Sequence, residues 1–193
     1  MNLKPKIILL NGPPRCGKDT AAEFLLANII GSRHLKFAEP LKRAVPAMYG
    51  LKPRQWKDLY ENHKDEPTPA LLGLSPRQAM ISASEDWMKP LHGEDVFGKI
   101  AARSVRFGMP AGTVVVSDCG FDSEVVPMVD SFGAKNLLII AIKRKGKSFA
   151  NDSRGYIAKP AKAKRVVVNN NGSKDNFELD VLGAAMDWLE SFS

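Results

Sequence analysis

Short apolar runs alternate with amphipathic stretches along most of the chain. Lys6–Leu10, Leu35–Ala38, Thr113–Ser117, Asn136–Ile142 and Arg165–Val168 each have the length of a strand, and three of the five are apolar enough to be buried on both faces. Between them the apolar spacing becomes helical. Over Thr20–Ile30 it brings Ala22, Leu25, Leu26 and Ile29 to one face, and over Asn176–Phe192 it does so for Leu182, Ala185, Met186 and Leu189. Both helices are expected to pack on a sheet. Ser75, Pro76 and Gln78 form a helix-start signature, with a serine cap, proline at the first helical position and glutamine three residues after the cap, so a helix should run from there towards Met88. Pro90 and Gly93 break the pattern, and Asp95–Arg106 resumes it with Phe97, Ile100, Ala101 and Val105. Residues 40–110 therefore look like a largely helical lobe. Strand followed by helix, repeatedly and without an internal repeat, predicts an α/β fold with a parallel sheet covered on both faces.

Composition narrows the class. The chain has 193 residues, 44% of them hydrophobic and 25% charged, which suits one compact domain or a domain with an inserted lobe and excludes disorder and collagen-like repeats. The longest apolar run, Leu137–Ile142, is far shorter than the roughly 18 to 20 residues of a membrane span, so no membrane partner is expected. After Ile7–Leu10, glycine, prolines and charges stand where a signal peptide would continue its apolar core, and secretion is not expected. Cys16 and Cys119 offer no disulfide framework, which fits a reducing compartment, the cytoplasm. His34, His63 and His92 lack metal-ligand spacing and read as surface or loop residues.

Charge is unevenly placed. Of a net +7, the stretch from Lys143 to Arg165 carries nine basic residues against the single acid Asp152. A nucleic-acid surface would concentrate charge in this way, and so would a mobile segment that closes over the phosphates of a small ligand. Glycines, a proline and weak periodicity make Lys143–Lys164 a flexible excursion between two strands, and we favour the second reading.

The candidate chemistry begins right after the first strand. Gly12-Pro13-Pro14-Arg15-Cys16-Gly17-Lys18-Asp19-Thr20 has the spacing G-x-x-x-x-G-K between a strand and an amphipathic helix. Such a loop turns backbone N–H groups around phosphate oxygens, the helix offers its positive N-terminus, and Lys18 can bridge the β- and γ-phosphates of a nucleoside triphosphate. Asp19 stands where a serine or threonine hydroxyl ordinarily meets Mg2+. Either Asp19, through a water, or Thr20 would serve the metal. Asp118, at the end of an apolar strand, is the second acidic anchor for the water shell of Mg2+. Cys16 lies inside the loop at a position that tolerates many residues and is not expected to be catalytic.

Several blocks, in order, resemble the bacteriophage-type deoxynucleoside monophosphate kinases of the P-loop nucleoside monophosphate kinase superfamily. Gly17-Lys18-Asp19-Thr20 is similar to that family's loop ending, Phe37-Ala38-Glu39-Pro40-Leu41-Lys42 to its F-A-D-P-L-K, and Ser75-Pro76-Arg77-Gln78 with Ser84-Glu85 to its central helix. Asp118 to Glu124 resembles D-x-R-F-x-x-E, and Val168 to Ser173 a strand followed by N-N-G-[ST]. The resemblance implies one P-loop kinase domain with a core of residues 1–39, 111–142 and 165–193, an acceptor lobe of residues 40–110 and a lid of residues 143–164. It implies ATP and Mg2+ as cofactors and a small nucleotide as substrate, without nucleic acid, in a monomer or homodimer, in the host cytoplasm if the source is a phage. Carried over by position, Gly12, Arg15, Cys16, Gly17, Lys18, Asp19 and Thr20 bind ATP phosphates, and Asn171, Gly172 and Ser173 lie near the adenine. Glu39, Lys42 and Arg43 begin the acceptor site, to which Arg77, Glu85, Asp95 and Arg103 are further candidates, with Trp87 and Phe97 offering an apolar slot for a base. Lys18 is the fixed cation of phosphoryl transfer, and Arg144 and Arg154 are the mobile ones. Gly120 departs from the pattern, because the family's D-x-R-F places an arginine there. Phosphomevalonate kinases of the animal type share the G-K-D ending. Another small phosphorylated acceptor, or a nucleotide-dependent nucleic-acid-binding role, is therefore the competing expectation.

Overall fold

Five strands form one all-parallel sheet in the computed structural model, which describes residues 4–108, 112–150, 152–158, 160 and 163–192. They are β1 (Lys6–Asn11), β2 (Arg33–Leu35), β3 (Thr113–Cys119), β4 (Leu137–Lys143) and β5 (Lys164–Asn169), in the order β2-β3-β1-β4-β5. The central strand β1 is paired on both sides, with Ile8 opposite Val115 of β3 and Leu138 of β4. The helices are α1 (Lys18–Asn28), α2 (Glu39–Met48), α3 (Pro53–Asn62), α4 (Pro76–Ser82), α5 (Lys89–His92), α6 (Val96–Gly108), α7 (Asp122–Phe132) and α8 (Lys174–Glu190). A widened helical turn, Ala83–Met88, joins α4 to α5.

The continuous apolar runs of β1 and β4 are explained by cover on both faces. Ile7 to Leu10 and Leu137 to Ile142 are completely buried. On one face Ile8, Leu10, Val115, Leu138, Ile140 and Ile142 pack with Ala21, Ala22 and Leu25 of α1 and with Phe177, Val181, Ala185 and Trp188 of α8. Their alternates Leu9, Val114, Val116 and Ile139 are equally buried, as are Val125, Met128 and Phe132 of α7 and Ala101, Ala102 and Val105 of α6. Gly98 lets α6 approach α7 closely, since a Cβ there would collide with the carbonyl of Glu124. Each buried Leu or Ile side chain contributes about 1.5–3 kcal/mol, and this burial is the main source of the sheet's stability.

The chain divides into two compact units, residues 1–37 with 98–193 and residues 38–97. The second unit is helical, with α2 and α3 both packing on α4. Its core includes Leu41, Val45, Trp56 and Leu71. The start of α4 is as expected: Ser75 Oγ accepts from the Gln78 N–H at 3.2 Å, and Gln78 Oε1 accepts from the Ser75 N–H at 2.9 Å.

Two sequence expectations are corrected. The second strand ends at Leu35 and does not run to Ala38, because the Phe37 N–H donates to Asp118 Oδ1 at 2.8 Å and not to a ladder partner, after which Ala38 caps α2. In α8 the buried stripe is Phe177, Val181, Ala185 and Trp188 rather than Leu182, Ala185, Met186 and Leu189. The two large aromatics bury more surface than the leucines and set the helix rotation. The residues described between β4 and β5 form no regular element.

Ile140→Ala, on a strand buried on both faces, should lower unfolding free energy by about 2–5 kcal/mol in chemical denaturation, whereas Val167→Ala at the half-exposed edge should cost about 0.5 kcal/mol or less.

Candidate phosphate-binding site

The loop between β1 and α1 is shaped by its glycines. Gly17 has φ 109°, in the left-handed region, and a Cβ there would lie 2.5 Å from Asn170 Nδ2. Arg15 also takes a positive φ, 61°. At Gly12 a Cβ would meet the Ile142 carbonyl at 2.6 Å and Cys16 Sγ at 2.7 Å, so the loop passes against β4 with no room to spare. Lys18 curls back over the turn and donates to the carbonyls of Gly12 at 2.6 Å and Pro13 at 2.8 Å. Burial pushes its ammonium below the usual lysine range. A half-buried cation held by two neutral carbonyls and, at 3.9 Å, by the Cys16 sulfur is poised to exchange them for phosphate oxygens. Cys16 is fully buried beneath it, and burial raises its thiol despite the nearby lysine. Cys119 is pushed well up by burial as well. Neither thiol has the low pKa of a nucleophile.

Other candidate residues of this unit gather at the carboxyl ends of the strands. Arg144 donates to the carbonyl of Arg15 at 3.3 Å, and Asn171 Oδ1 accepts from the Lys145 N–H at 2.7 Å. Arg154 is held by Asp152 in a fork, Nε to Oδ1 at 2.8 Å and one terminal nitrogen to Oδ2 at 2.6 Å, and that bonding raises its pKa further. Its charge is close enough to act on Lys18. Ser173 caps α8, its hydroxyl accepting from the Asn176 N–H at 3.2 Å, while Gly172 is open on the side a Cβ would take. Asp19 pairs with Lys36 at 3.2 Å and is largely exposed, and Thr20 is half-buried in the first turn of α1. Arg103 lies exposed on α6. Lys159 and Lys162, counted in the basic segment, lie outside the described residues.

Two asparagines escaped the sequence reading. Asn170 Nδ2 donates to the Cys16 carbonyl at 2.8 Å, and its N–H to the Lys143 carbonyl at 2.7 Å, bracing the phosphate loop from β5. Asn11 is completely buried and bonded on both sides of its amide. The only available signal was a polar residue closing each strand.

Among the described residues no group of three His, Cys, Asp or Glu side chains stands together as a metal cage. Mg2+ does not require one, since it keeps most of its waters and takes one or two carboxylates plus substrate phosphates. Asp118, with Oδ1 oriented by the Phe37 N–H, and Thr20 and Asp19 each carry oxygens of that hard kind.

In the helical unit most of the charged candidates are engaged in ion pairs. Glu39 pairs with Arg43 at 2.9 Å, Arg77 with Asp65, and Glu85 with Lys89 at 2.7 Å. Phe97 is buried in the core, whereas Trp87 is 47% exposed. Asp95 is half-buried. Lys42 and Lys64 differ: both approach Tyr60, Lys64 donating to its hydroxyl at 2.8 Å and lying 4.4 Å from the ring centre, Lys42 lying 4.9 Å from it. Burial would push the Tyr60 phenol up, but the two ammonium groups outweigh it and hold the phenol below the usual value. Neither lysine forms an ion pair among the described residues.

No protein-family model matches the chain. No curated protein matches it in sequence either. Solved structures do. A putative kinase from Chloroflexus aurantiacus is superposable with a TM-score of 0.50 at 15% identity, over 96% of this chain and 98% of that one. A gluconokinase from Sinorhizobium meliloti gives 0.46 at 12% identity, over 98% and 97% of the two chains. Thymidylate kinase from Candida albicans gives 0.43 at 10% identity, over 95% and 92%. Identities this low speak to fold alone. The five-stranded parallel sheet flanked by helices, with its glycine-bearing loop after β1, matches the fold of the putative kinase. No helix among the described residues is long and apolar enough to cross a membrane.

Spectrophotometric titration should find Tyr60 ionising below the usual tyrosine range, and Lys64→Met should return it upwards by removing the bonded ammonium. Unchanged titration of all three tyrosines in the variant would remove Lys64 as the cause.

Proposed function

We propose that the protein transfers the γ-phosphoryl group of ATP to the phosphate of a nucleoside or deoxynucleoside monophosphate, by direct in-line displacement. The observation that carries this reading is the loop after β1, with its G-x-x-x-x-G-K spacing, left-handed Gly17 and half-buried Lys18. The acceptor class is supported by Phe37–Lys42 and Ser75–Gln78, which resemble phage-type enzymes over more positions than the loop ending shared with phosphomevalonate kinases. Lys42 beside Tyr60 and Lys64 adds two cations without carboxylate partners, suited to a phosphate monoester.

In this reaction an oxygen of the acceptor phosphate attacks the γ-phosphorus. The bond from that phosphorus to the β–γ bridging oxygen breaks, and ADP leaves with the electron pair. Negative charge spreads over the transferred oxygens, so catalysis consists of positioning and of fixed positive charge. Lys18 exchanges the Gly12 and Pro13 carbonyls for β- and γ-phosphate oxygens, and Arg144 and Arg154 meet the developing charge. Asp118, with Thr20 or a water on Asp19, would hold Mg2+, which supplies further neutralisation of the β- and γ-oxygens. Asn171 to Ser173 take the adenine side. Glu39, Arg43, Arg77, Glu85, Asp95 and Arg103 remain candidates for orienting the acceptor, and residues 143–164 for covering the phosphates.

A coupled ADP-release assay over ribo- and deoxyribonucleoside monophosphates tests the acceptor. Turnover with some other phosphorylated metabolite and with no nucleotide would refute the acceptor class while leaving a kinase. Lys18→Ala should keep the fold and lose about 10² to 10³ in rate or more, and near-normal turnover would remove the phosphate-loop assignment. Asp118→Asn should lower turnover and move the magnesium activation curve to higher concentration, because a neutral amide holds the metal's water shell less well. An unchanged curve and rate would leave Asp118 as the residue that orders Phe37.

A further inference from the structure

The stretch after β4 carries both arginines assigned above to the transferred group, and part of it is fastened to the sheet. Asn11 closes β1 with a side chain at 0% exposure. Its Nδ2 donates to the carbonyls of Cys119 and Gly155, each at 3.0 Å, and its Oδ1 accepts from the Ile157 N–H at 2.9 Å. A single buried amide thus ties the end of β1 to the end of β3 and to two residues of the crossover. Further bonds lie alongside. The Gly155 N–H donates to the Gly120 carbonyl at 3.0 Å, the Tyr156 hydroxyl to the Ile142 carbonyl at 3.1 Å, and the Ala158 N–H to Asp122 Oδ1 at 2.8 Å.

Arg154 sits at the start of this fastened piece. Its aliphatic stem lies across Gly120, where an added Cβ would come within 2.5 Å of its Cδ, 2.7 Å of its Cγ and 2.9 Å of its Cβ. Gly120 does not have a positive φ, so the backbone itself would accept a side chain. What excludes one is Arg154. The guanidinium beyond is gripped by Asp152 and has only 26% of its side chain exposed.

We propose that Asn11 and Gly120 are positioning residues that seat Arg154 as a fixed cation beside the phosphate loop, so that it need not be carried in by closure of the basic segment. The proposal rests on the phosphoryl-transfer reading above. Asn11 holds the backbone of residues 155–157, and Gly120 leaves open the one surface on which the Arg154 stem can lie. The departure at Gly120 from the D-x-R-F pattern then has a physical reason: the space is filled from the crossover and not from position 120. A preformed seat spares the reaction the loss of rotamer freedom that ordering a long, flexible side chain would require.

The test is a double-substitution cycle with the acceptor found in the ADP-release assay. Gly120→Ala should displace Arg154 and lower kcat by about 10²-fold, with little change in KM for ATP. Arg154→Gly should lower it at least as much, and adding Gly120→Ala to Arg154→Gly should cost nothing further, because the displaced atoms are already gone. Losses that multiply would overturn the proposal. Hydrogen exchange supplies a readout without turnover: the Ile157 amide should be protected in the free protein and become fast in Asn11→Ala, while amides of β4 keep their protection. Fast exchange at Ile157 in the free wild-type protein that slows only with ATP and acceptor would overturn the seat in favour of a closing lid. If the wild-type protein releases ADP with no acceptor, the transfer reading fails and with it the role of Arg154, but the exchange experiment still decides whether the crossover is seated by Asn11.

Discussion

The central strand β1 and its neighbour β3 end on buried residues, Asn11 and Cys119, and there each backbone polar group beyond the last ladder rung must find another partner. That constraint organises the candidate site. Asn11 and Asn170, each closing a strand or following its last residue, supply side-chain amides to the carbonyls and N–H groups that the ladder leaves over. Because a buried unpaired amide or carbonyl costs about 1–3 kcal/mol, these bonds fix where the loops depart from the sheet. The phosphate loop, the end of β3 with Asp118, and the crossover with Arg154 are held at the carboxyl ends of the central strands as a result.

Within each unit, lysines named as candidates or found beside them are held by partners that give them up at modest cost. Lys18 rests on two neutral carbonyls, and Lys42 and Lys64 rest on one phenol. A phosphate offers each a charged acceptor in exchange, and charge-assisted bonds are about twice as strong as neutral ones. Arg154 is the exception, because Asp152 already grips it in two bonds. Such a group keeps its place whether or not phosphate is present.

The sheet was legible because burial on both faces leaves a continuous apolar run, and Ile7–Leu10 and Leu137–Ile142 show one plainly. The start of α4 was legible because Ser75, Pro76 and Gln78 act locally, within one turn. What failed depended on tertiary partners. The end of β2 is decided by Asp118, distant in sequence, and the rotation of α8 by how Phe177 and Trp188 pack on strands elsewhere. Of the site, the glycine and lysine spacing of the phosphate loop was visible, since backbone conformation there demands particular residues. Asn11 and Asn170 were not, because a single asparagine has no pattern until the backbone groups it serves are known. The relation between Gly120 and Arg154 was hidden for the same reason, being a contact between a loop and a crossover.

The packing of Gly12 against Cys16 bears on how this loop can vary. The place a Cβ at position 12 would need is taken by the Cys16 sulfur and the Ile142 carbonyl together. Trimming the residue at 16 would vacate only the first of these, because the carbonyl belongs to a central strand that cannot retreat without breaking its ladder. Position 12 is therefore closed to every larger residue, and position 16, expected from the sequence to tolerate many residues, accepts only side chains that fit the same small volume. Among related sequences, the first glycine should stand invariant beside a neighbour that drifts within a narrow range of size, and the two positions should show no compensating exchange.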